Sequence, residues 1–502
     1  MYTITKSRFV SGSQCEKKLY FDVYRKDLKP TENKEIQKLF SNGNVVGKLA
    51  QQVFPNGKDA TIEMNNDWSN AIHFTNIWLK ERLNTIYEAT FSNNRVFAAL
   101  DILHHTENER WAIEVKSSTD IKDYYITDAA IQYWVMNKSG FTPDRFYIMH
   151  INSSYIKNGH INVNELFTLT DISDIVIRKQ EWVSEQLARL FDILDAKKEP
   201  NIEIGKHCKN PFSCDYKHHC WQHIPKQSVF ELYSPKGKDW ELYSNGILNL
   251  NDIPSTESLS HRQRLQVEGI KTNQSYFDKA SISNFLNNIQ FPIYFLDFET
   301  IFPVIPVLNG SQPYQQIPFQ YSLHIVYNLN GDIEHKDFLA NPIHFQHNSP
   351  IDPRLELLIQ LKKDIGQSGS IVAYNAIFEI NVLKSLAPIF PKYQYFIDDL
   401  CIRFIDLLIP FRQAWYYLPS FGNSASIKSV LPAISAEYDY DDLVISNGGD
   451  ASETFLTMIN NMFEGDYNTT RENLLKYCER DTYGMVIIWK HLIEKISHLQ
   501  QI

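Results

Sequence analysis

Between residues 294 and 300 the chain reads Tyr-Phe-Leu-Asp-Phe-Glu-Thr, an apolar and aromatic run interrupted by two carboxylates. Such a run predicts a buried strand, and residues two apart on a strand share a face, so Asp297 and Glu299 project together. Burying two adjacent negative charges is costly without compensation, and a hard divalent cation supplies it. Acids on an edge strand that simply face water explain an isolated pair equally well, so the choice rests on the remaining pattern.

Elsewhere the periodicity alternates between the two regular structures. Helical patterning covers residues 15–21, 34–54 and 70–83, followed by three short alternating runs at 85–91, 96–103 and 110–115 that predict strands with polar turns. Helices are expected over 127–136 and 171–196, then a polar, helical connector over 228–288. After the run at 294–300, strands are predicted at 319–328, 335–339 and 370–374, with helices at 353–365 and 470–492. The pattern is that of an α/β chain.

A chain of 502 residues exceeds one ordinary core and predicts two or three domains. Hydrophobic content of 43% with 22% charged residues describes a globular protein, and no apolar run is long enough to span a membrane. The first eight residues lack the apolar core of a signal peptide, which predicts a cytoplasmic protein without membrane partners. The net charge, 49 − 59 = −10, argues against a protein that coats nucleic acid. It leaves room for an enzyme that engages nucleic acid through a local basic groove or through metal ions. Six cysteines in a chain of this size suggest reduced thiols or metal ligands rather than a disulfide framework.

Asp101 lies in the second N-terminal strand, and Glu114-Val115-Lys116 closes the third. Cys15 precedes this core, and Cys208, Cys214 and Cys220 follow it at two five-residue gaps. Together these residues resemble the RecB-like PD-(D/E)xK nucleases with an iron–sulfur staple. The resemblance implies that Asp101 and Glu114 hold Mg²⁺ while Lys116 orients or activates water, with Glu88 as a further acid and Gln132 as a polar residue beside the site. It also implies that the four cysteines hold a [4Fe–4S] cluster that ties the N-terminal segment to the end of the domain. Zinc is the chemical alternative for the cysteines, and His207, His218 and His219 among them keep a mixed zinc site open. Two positions depart from the family. Gly47 stands where many members carry a metal-binding His four residues after a Gly, here Gly43, and Met136 stands where a Tyr follows Gln132.

Three blocks in the C-terminal part resemble the DEDD exonucleases. They are Asp297-x-Glu299, then Asn375-x-x-Phe378-Glu379, then Tyr477-x-x-x-Asp481 of the tyrosine subclass. On a helix Tyr477 and Asp481 are one turn apart and share a face. The resemblance implies that Asp297, Glu299, Glu379 and Asp481 hold two Mg²⁺ or Mn²⁺ ions and that Tyr477 positions or deprotonates the attacking water. Glu379 stands where the family usually has Asp, which shifts the carboxylate by about 1.5 Å. The aromatic stretch 410–419 with Arg412, followed by Lys428, could stack and clamp a single strand, although core packing explains it better.

The expected fold is therefore α/β in three parts. These are a PD-(D/E)xK restriction-endonuclease-like domain over 1–227, a helical connector over 228–288, and a ribonuclease H-like DEDD exonuclease domain over 289–502. The expected function is metal-dependent hydrolysis of nucleic acid, DNA favoured and RNA possible, by a 3′→5′ exonuclease plus a RecB-like nuclease. The rivals are a nucleic-acid-binding adaptor with one degenerate site and an exonuclease regulated by a redox-sensing cluster.

Overall fold

Strand-forming stretches in both halves of the chain gather into separate sheets, and the chain divides into two units, Met1–His223 and Ile224–Ile502. The computed structural model describes residues 3–30, 34–62, 67–346, 348–460 and 462–498; the side chains of 31–42 and 498 lie outside that description. Both units are mixed α/β.

In the first unit β1 (Ile4–Thr5) leads into helix α1 (Lys6–Gln14), which is capped by the Thr5 hydroxyl accepting from the Arg8 amide. Then come α2 (Glu16–Tyr24), α3 (Lys34–Gln51), β2 (Lys58–Asp59) and α4 (Trp68–Lys80). A meander follows: β3 (Thr85–Asn93), β4 (Val96–His105) and β5 (Arg110–Lys116). Helix α5 (Asp123–Lys138) then crosses to β6 (Arg145–Ile151), which pairs parallel with β5, before β7 (Phe167–Asp171). The sheet runs β2-β3-β4-β5-β6-β7, with β1 beside β4. Helix α5 is nearly all buried, with Ile126, Ala129, Ala130 and Tyr133 in the core, which is why its pattern looks weakly amphipathic. The single helix expected over 171–196 is interrupted: β7 ends at Asp171, and two helices follow, of which α6 is Gln180–Ala196.

The 228–288 segment is part of the second unit rather than a free connector. Val229, Leu232, Leu242, Leu250, Ile253, Leu259 and Val267 form a small core of their own. Helix α7 (His261–Thr272) presents Arg262, whose buried guanidinium donates to the carbonyls of Phe411 and Ser424. Strand β8 (Tyr276–Phe277) and helix α8 (Lys279–Asn287) complete the segment. The polar composition conceals this packing because the apolar residues are spread over short helical pieces and turns without one period.

The central strand β9 (Ile293–Ile301) pairs antiparallel with β10 (Ile317–Val326), which pairs with β11 (Ile333–Leu339). Helix α9 (Pro353–Asp364) leads to β12 (Ser370–Ala373), parallel to β9. Helix α10 (Ile377–Leu386) precedes β13 (Phe404–Asp406), giving the order β11-β10-β9-β12-β13. Strand β14 (Tyr416–Tyr417) pairs with β8. Three helices follow: α11 (Ile427–Ile434), α12 (Gly448–Ile459) and α13 (Tyr467–His498). Tyr294, Leu296 and Phe298 of β9 pack toward α9 and α10, whereas Ile293, Phe295 and Ile301 share a core with α12 and α13. Burial on both faces explains the continuous apolar run and places Asp297 and Glu299 on the α13 side. Phe411, Tyr416 and Tyr417 are core residues, so that aromatic stretch is packing and no strand clamp.

Gly369, at the entry to β12, has φ of +92°, and a Cβ there would fall 2.0 Å from the Pro292 carbonyl oxygen. Gly369→Ala is expected to destabilise the second unit by more than about 1 kcal/mol, read as a lower thermal midpoint. No helix among the described residues is long and apolar enough to cross a membrane.

Candidate functional site

In the second unit the sheet and α13 bring the acids together. Cross-strand pairing sets Asp297 opposite Ser322 and Glu299 opposite Gln320, on the face that α13 covers. Tyr477, Cys478 and Asp481 come down from α13, and Glu379 from the first turn of α10. Asn375, just after β12, adopts φ of 78° and donates its amide to Asp406, turning the chain so that α10 begins beside the strand ends. All five predicted residues of this half, Asp297, Glu299, Glu379, Tyr477 and Asp481, thus converge.

The centre is buried and negative. Glu299, Glu379 and Asp481 are 7%, 1% and 8% exposed, while Asp297 is half-buried. Burial first, then the Asp481 charge, pushes the Asp297 carboxyl well above its ordinary range. Burial and the charges of Asp297 and Asp481 do the same to Glu299, and burial and Asp297 do so to Glu379. Burial also raises Asp481, opposed by hydrogen bonds from Tyr440 and Tyr477; the Tyr440 hydroxyl donates at 2.5 Å. Glu379 Oε2 is buried without a hydrogen-bond partner. One oxygen each from Asp297 and Glu299 and the Cys478 sulfur lie within 4.8 Å of one another.

Four contributors carry no motif signal. Cys478 lies inside the third motif, its Sγ 3.6 Å from Asp297 Oδ2, but a buried cysteine beside a carboxylate has no spacing signature. Tyr440 arrives from an irregular segment. Lys428, held by its bond to the Ser446 carbonyl at 2.7 Å, lies over the Tyr440 and Tyr477 rings at 5.1 and 5.2 Å, and its charge opposes the upward shifts of Asp297, Glu299 and Asp481. Gly448, at the start of α12, comes so close that a Cβ there would meet Glu299 Oε2 at 3.4 Å.

The first unit has a second polar centre. Glu114, 1% exposed, accepts from Lys116 at 2.7 Å, from Lys6 at 3.0 Å and from Gln132 at 2.9 Å. Lys116 also pairs with Asp128 at 2.7 Å, and Asp101 Oδ2 accepts the Val115 amide at 2.6 Å. Glu88 sits at a break in the β3–β4 register with φ of 51°, which turns it toward this group. Burial and the Asp101 charge push Glu88 up to about 8, and burial and Glu114 push Asp101 up to about 7. Glu114 goes the other way: the two lysines overcome burial and hold it below the usual carboxylate range. The sequence reading missed Lys6 and Asp128. Asp128 was findable, one helical turn before Gln132 on the same face. Gly47 has open space around its Cα and brings no ligand to this centre.

Cys15, Cys208, Cys214 and Cys220 are free thiols that line one pocket together with Lys17, Lys18 and Lys217. Burial raises the thiols of Cys15 and Cys220, and that of Cys214 to about 11. His207 lines the same pocket, whereas His218 and His219 are not among its lining residues.

Residues 294–426 match the family model described as Domain of unknown function (DUF2779). The DUF2779 match begins on β9 and contains Asp297, Glu299 and Glu379, while Tyr477 and Asp481 lie beyond it. The chain is also similar to Uncharacterized protein MG366 of Mycoplasma genitalium, 21% identical over 390 residues, covering 68% of this chain and 58% of the relative. A homolog of MG366 in Mycoplasma pneumoniae is 29% identical over 208 residues, 39% of this chain and 31% of that protein. Uncharacterized protein UU173 of Ureaplasma parvum is 24% identical over 300 residues, 53% of this chain and 41% of its own length. The chain thus spans less than two thirds of each of these relatives.

Proposed function

We propose that this protein is a metal-dependent nuclease whose principal active site is the carboxylate centre of the second unit. One observation carries the reading: Asp297, Glu299, Glu379 and Asp481 are gathered in a buried centre where burial and mutual repulsion outweigh the opposing charge of Lys428, which sits over aromatic rings. Uncompensated, such a centre is costly, and divalent cations held by hard oxygen ligands offset it. The strand order β11-β10-β9-β12-β13, with β10 antiparallel to its neighbours, supports the ribonuclease H-like assignment.

Asp297, Glu299, Glu379 and Asp481 would hold the Mg²⁺ or Mn²⁺ ions. Held there, such ions would supply an activated water and charge stabilisation for the leaving oxygen of an in-line displacement. The chain's own groups do the positioning. Asp297 and Glu299 share one face of β9, and Asp481 approaches them from α13. Tyr477 hydrogen-bonds the Asp481 carboxylate and would position or deprotonate the attacking water. Tyr440 fixes the Asp481 carboxylate. A 3′→5′ polarity on DNA follows from the family resemblance.

The first unit belongs to the same proposal as a RecB-like nuclease centre on Asp101, Glu114, Lys116, Gln132 and Glu88. Its four cysteines, free thiols that line one pocket with Lys17, Lys18 and Lys217, would hold the [4Fe–4S] cluster that the resemblance implies, the lysines offsetting the charge of the thiolates. A second reading is favoured here by Lys6. Its ammonium occupies the Glu114 oxygens, which suits a nucleic-acid-binding module with a degenerate site.

Degradation of end-labelled single- and double-stranded DNA and RNA with Mg²⁺ or Mn²⁺ tests both readings, comparing wild type with Asp297→Asn and Glu114→Gln. Loss of a 3′-directed activity in Asp297→Asn alone supports the principal site and a non-cleaving first unit. Activity unchanged in Asp297→Asn removes the principal site from the account.

A further inference from the structure

A second group of ligand-type residues lies between the sheet and α13. His324 of β10 and His335 of β11 are cross-strand neighbours, so their rings share the face that α13 covers. The rings stack at 4.5 Å with an interplanar angle of 29°. Glu479 of α13 completes the set, and one ligand atom from each of the three lies within 4.8 Å of the others.

The hydrogen bonds around the two imidazoles are those of oriented ligands. His324 Nδ1 bonds the Thr482 hydroxyl at 2.8 Å, and His335 Nε2 bonds the Ser322 hydroxyl at 3.0 Å. Ser322 and Thr482 bond each other at 2.7 Å, so one small network holds both rings. Each ring therefore has one nitrogen engaged and the other uncommitted. His335 Nδ1 faces Glu479 Oε1 at 4.0 Å, too far for a hydrogen bond. Zinc bound at about 2.0–2.2 Å to nitrogen and oxygen holds tetrahedral ligands roughly 3.3 Å apart, so a small closure of the half-exposed Glu479 side chain completes the geometry. Second-sphere bonds to the far nitrogen of each ring are characteristic of metal-binding imidazoles.

We propose that His324, His335 and Glu479 form a binding site for one zinc-class divalent cation, separate from the carboxylate centre. Two imidazoles select zinc and the later transition metals over Mg²⁺. Glu479 is half-exposed and borders a cleft of about 510 Å³, which leaves its side chain room to move onto the two histidines. The ion ties the β10–β11 hairpin to α13 within one turn of Asp481. The site stands whether or not the carboxylate centre cleaves nucleic acid, because its ligands are other residues.

The test is the zinc content of the full chain with its cysteine site loaded. Wild type, His335→Ala and Glu479→Gln are dialysed against Zn²⁺ in excess Mg²⁺ and assayed for metal per chain, with circular dichroism to check folding. Wild type is expected to retain one equivalent more than either variant, and added zinc is expected to raise the thermal midpoint of wild type alone. Equal zinc content in wild type and a folded variant overturns the proposal. Glu479→Gln keeps the side-chain shape at a half-exposed position, so it decides the matter if His335→Ala misfolds.

Discussion

Replacing Asp297 by asparagine is expected to reduce metal-dependent cleavage on the order of a thousandfold while making the metal-free chain more stable. The loss follows from the role of a metal ligand. Charge stabilisation by a bound cation contributes several kcal/mol to the transition state, and each 1.36 kcal/mol is tenfold in rate. The gain follows from the metal-free centre. Glu299 and Glu379 are both pushed up by the Asp297 charge in addition to burial, so removing that charge relieves both. The stabilisation is expected to appear near neutral pH as a higher thermal midpoint of the variant in chelator. Thermal unfolding with and without Mn²⁺ reads both effects: Mn²⁺ stabilises wild type strongly and the variant little. A variant less stable than wild type in chelator would show that Asp297 is a structural partner rather than one of several crowded charges.

Glu114→Ala is expected to act in the opposite sense and destabilise the first unit by about 3 kcal/mol. Removing one partner of a buried ion pair costs about 3–5 kcal/mol. The lower figure applies because the Lys6 side chain remains 28% exposed and Lys116 keeps Asp128 at 2.7 Å. The same centre sets a pH dependence. Glu114 has a depressed folded pKa, so its contribution is present above its unfolded value of 4.5 and is lost as the pH falls further. Glu88 and Asp101 are raised to about 8 and about 7. Their stabilisation is full below their unfolded values and declines as the pH rises through 7 and 8. The metal-free unit is therefore most stable in mildly acidic solution, and a divalent cation at pH 8 restores what the two acids lose. Denaturant unfolding across this range, with Mg²⁺ or with chelator, measures it.

Much of the second site was legible because its residues lie on regular elements. The period of a strand puts Asp297 and Glu299 on one face, and the period of a helix does the same for Tyr477 and Asp481. Glu379 was reachable from the Asn375 turn that starts α10. Contributions from outside regular elements were not legible. Tyr440 comes from a segment without periodicity. Lys6 opens a helix, yet it meets Glu114 across 108 positions of sequence, which no local pattern signals. His324, His335 and Glu479 have no common spacing, and the strand register that aligns the two histidines is a tertiary fact. The 228–288 segment hid its core for a similar reason. Its apolar residues are spread over short helical pieces and turns without one period, so composition suggested a linker where the chain builds part of the second unit.

Anomalous diffraction at the manganese edge, from crystals of the full chain soaked in Mn²⁺ with a short single-stranded oligonucleotide, addresses the central claim most directly. Two manganese peaks among Asp297, Glu299, Glu379 and Asp481, with a phosphate oxygen bound to them, are the predicted result. Ordered carboxylates with no manganese between them, at a concentration that fills other sites in the same crystal, would contradict it.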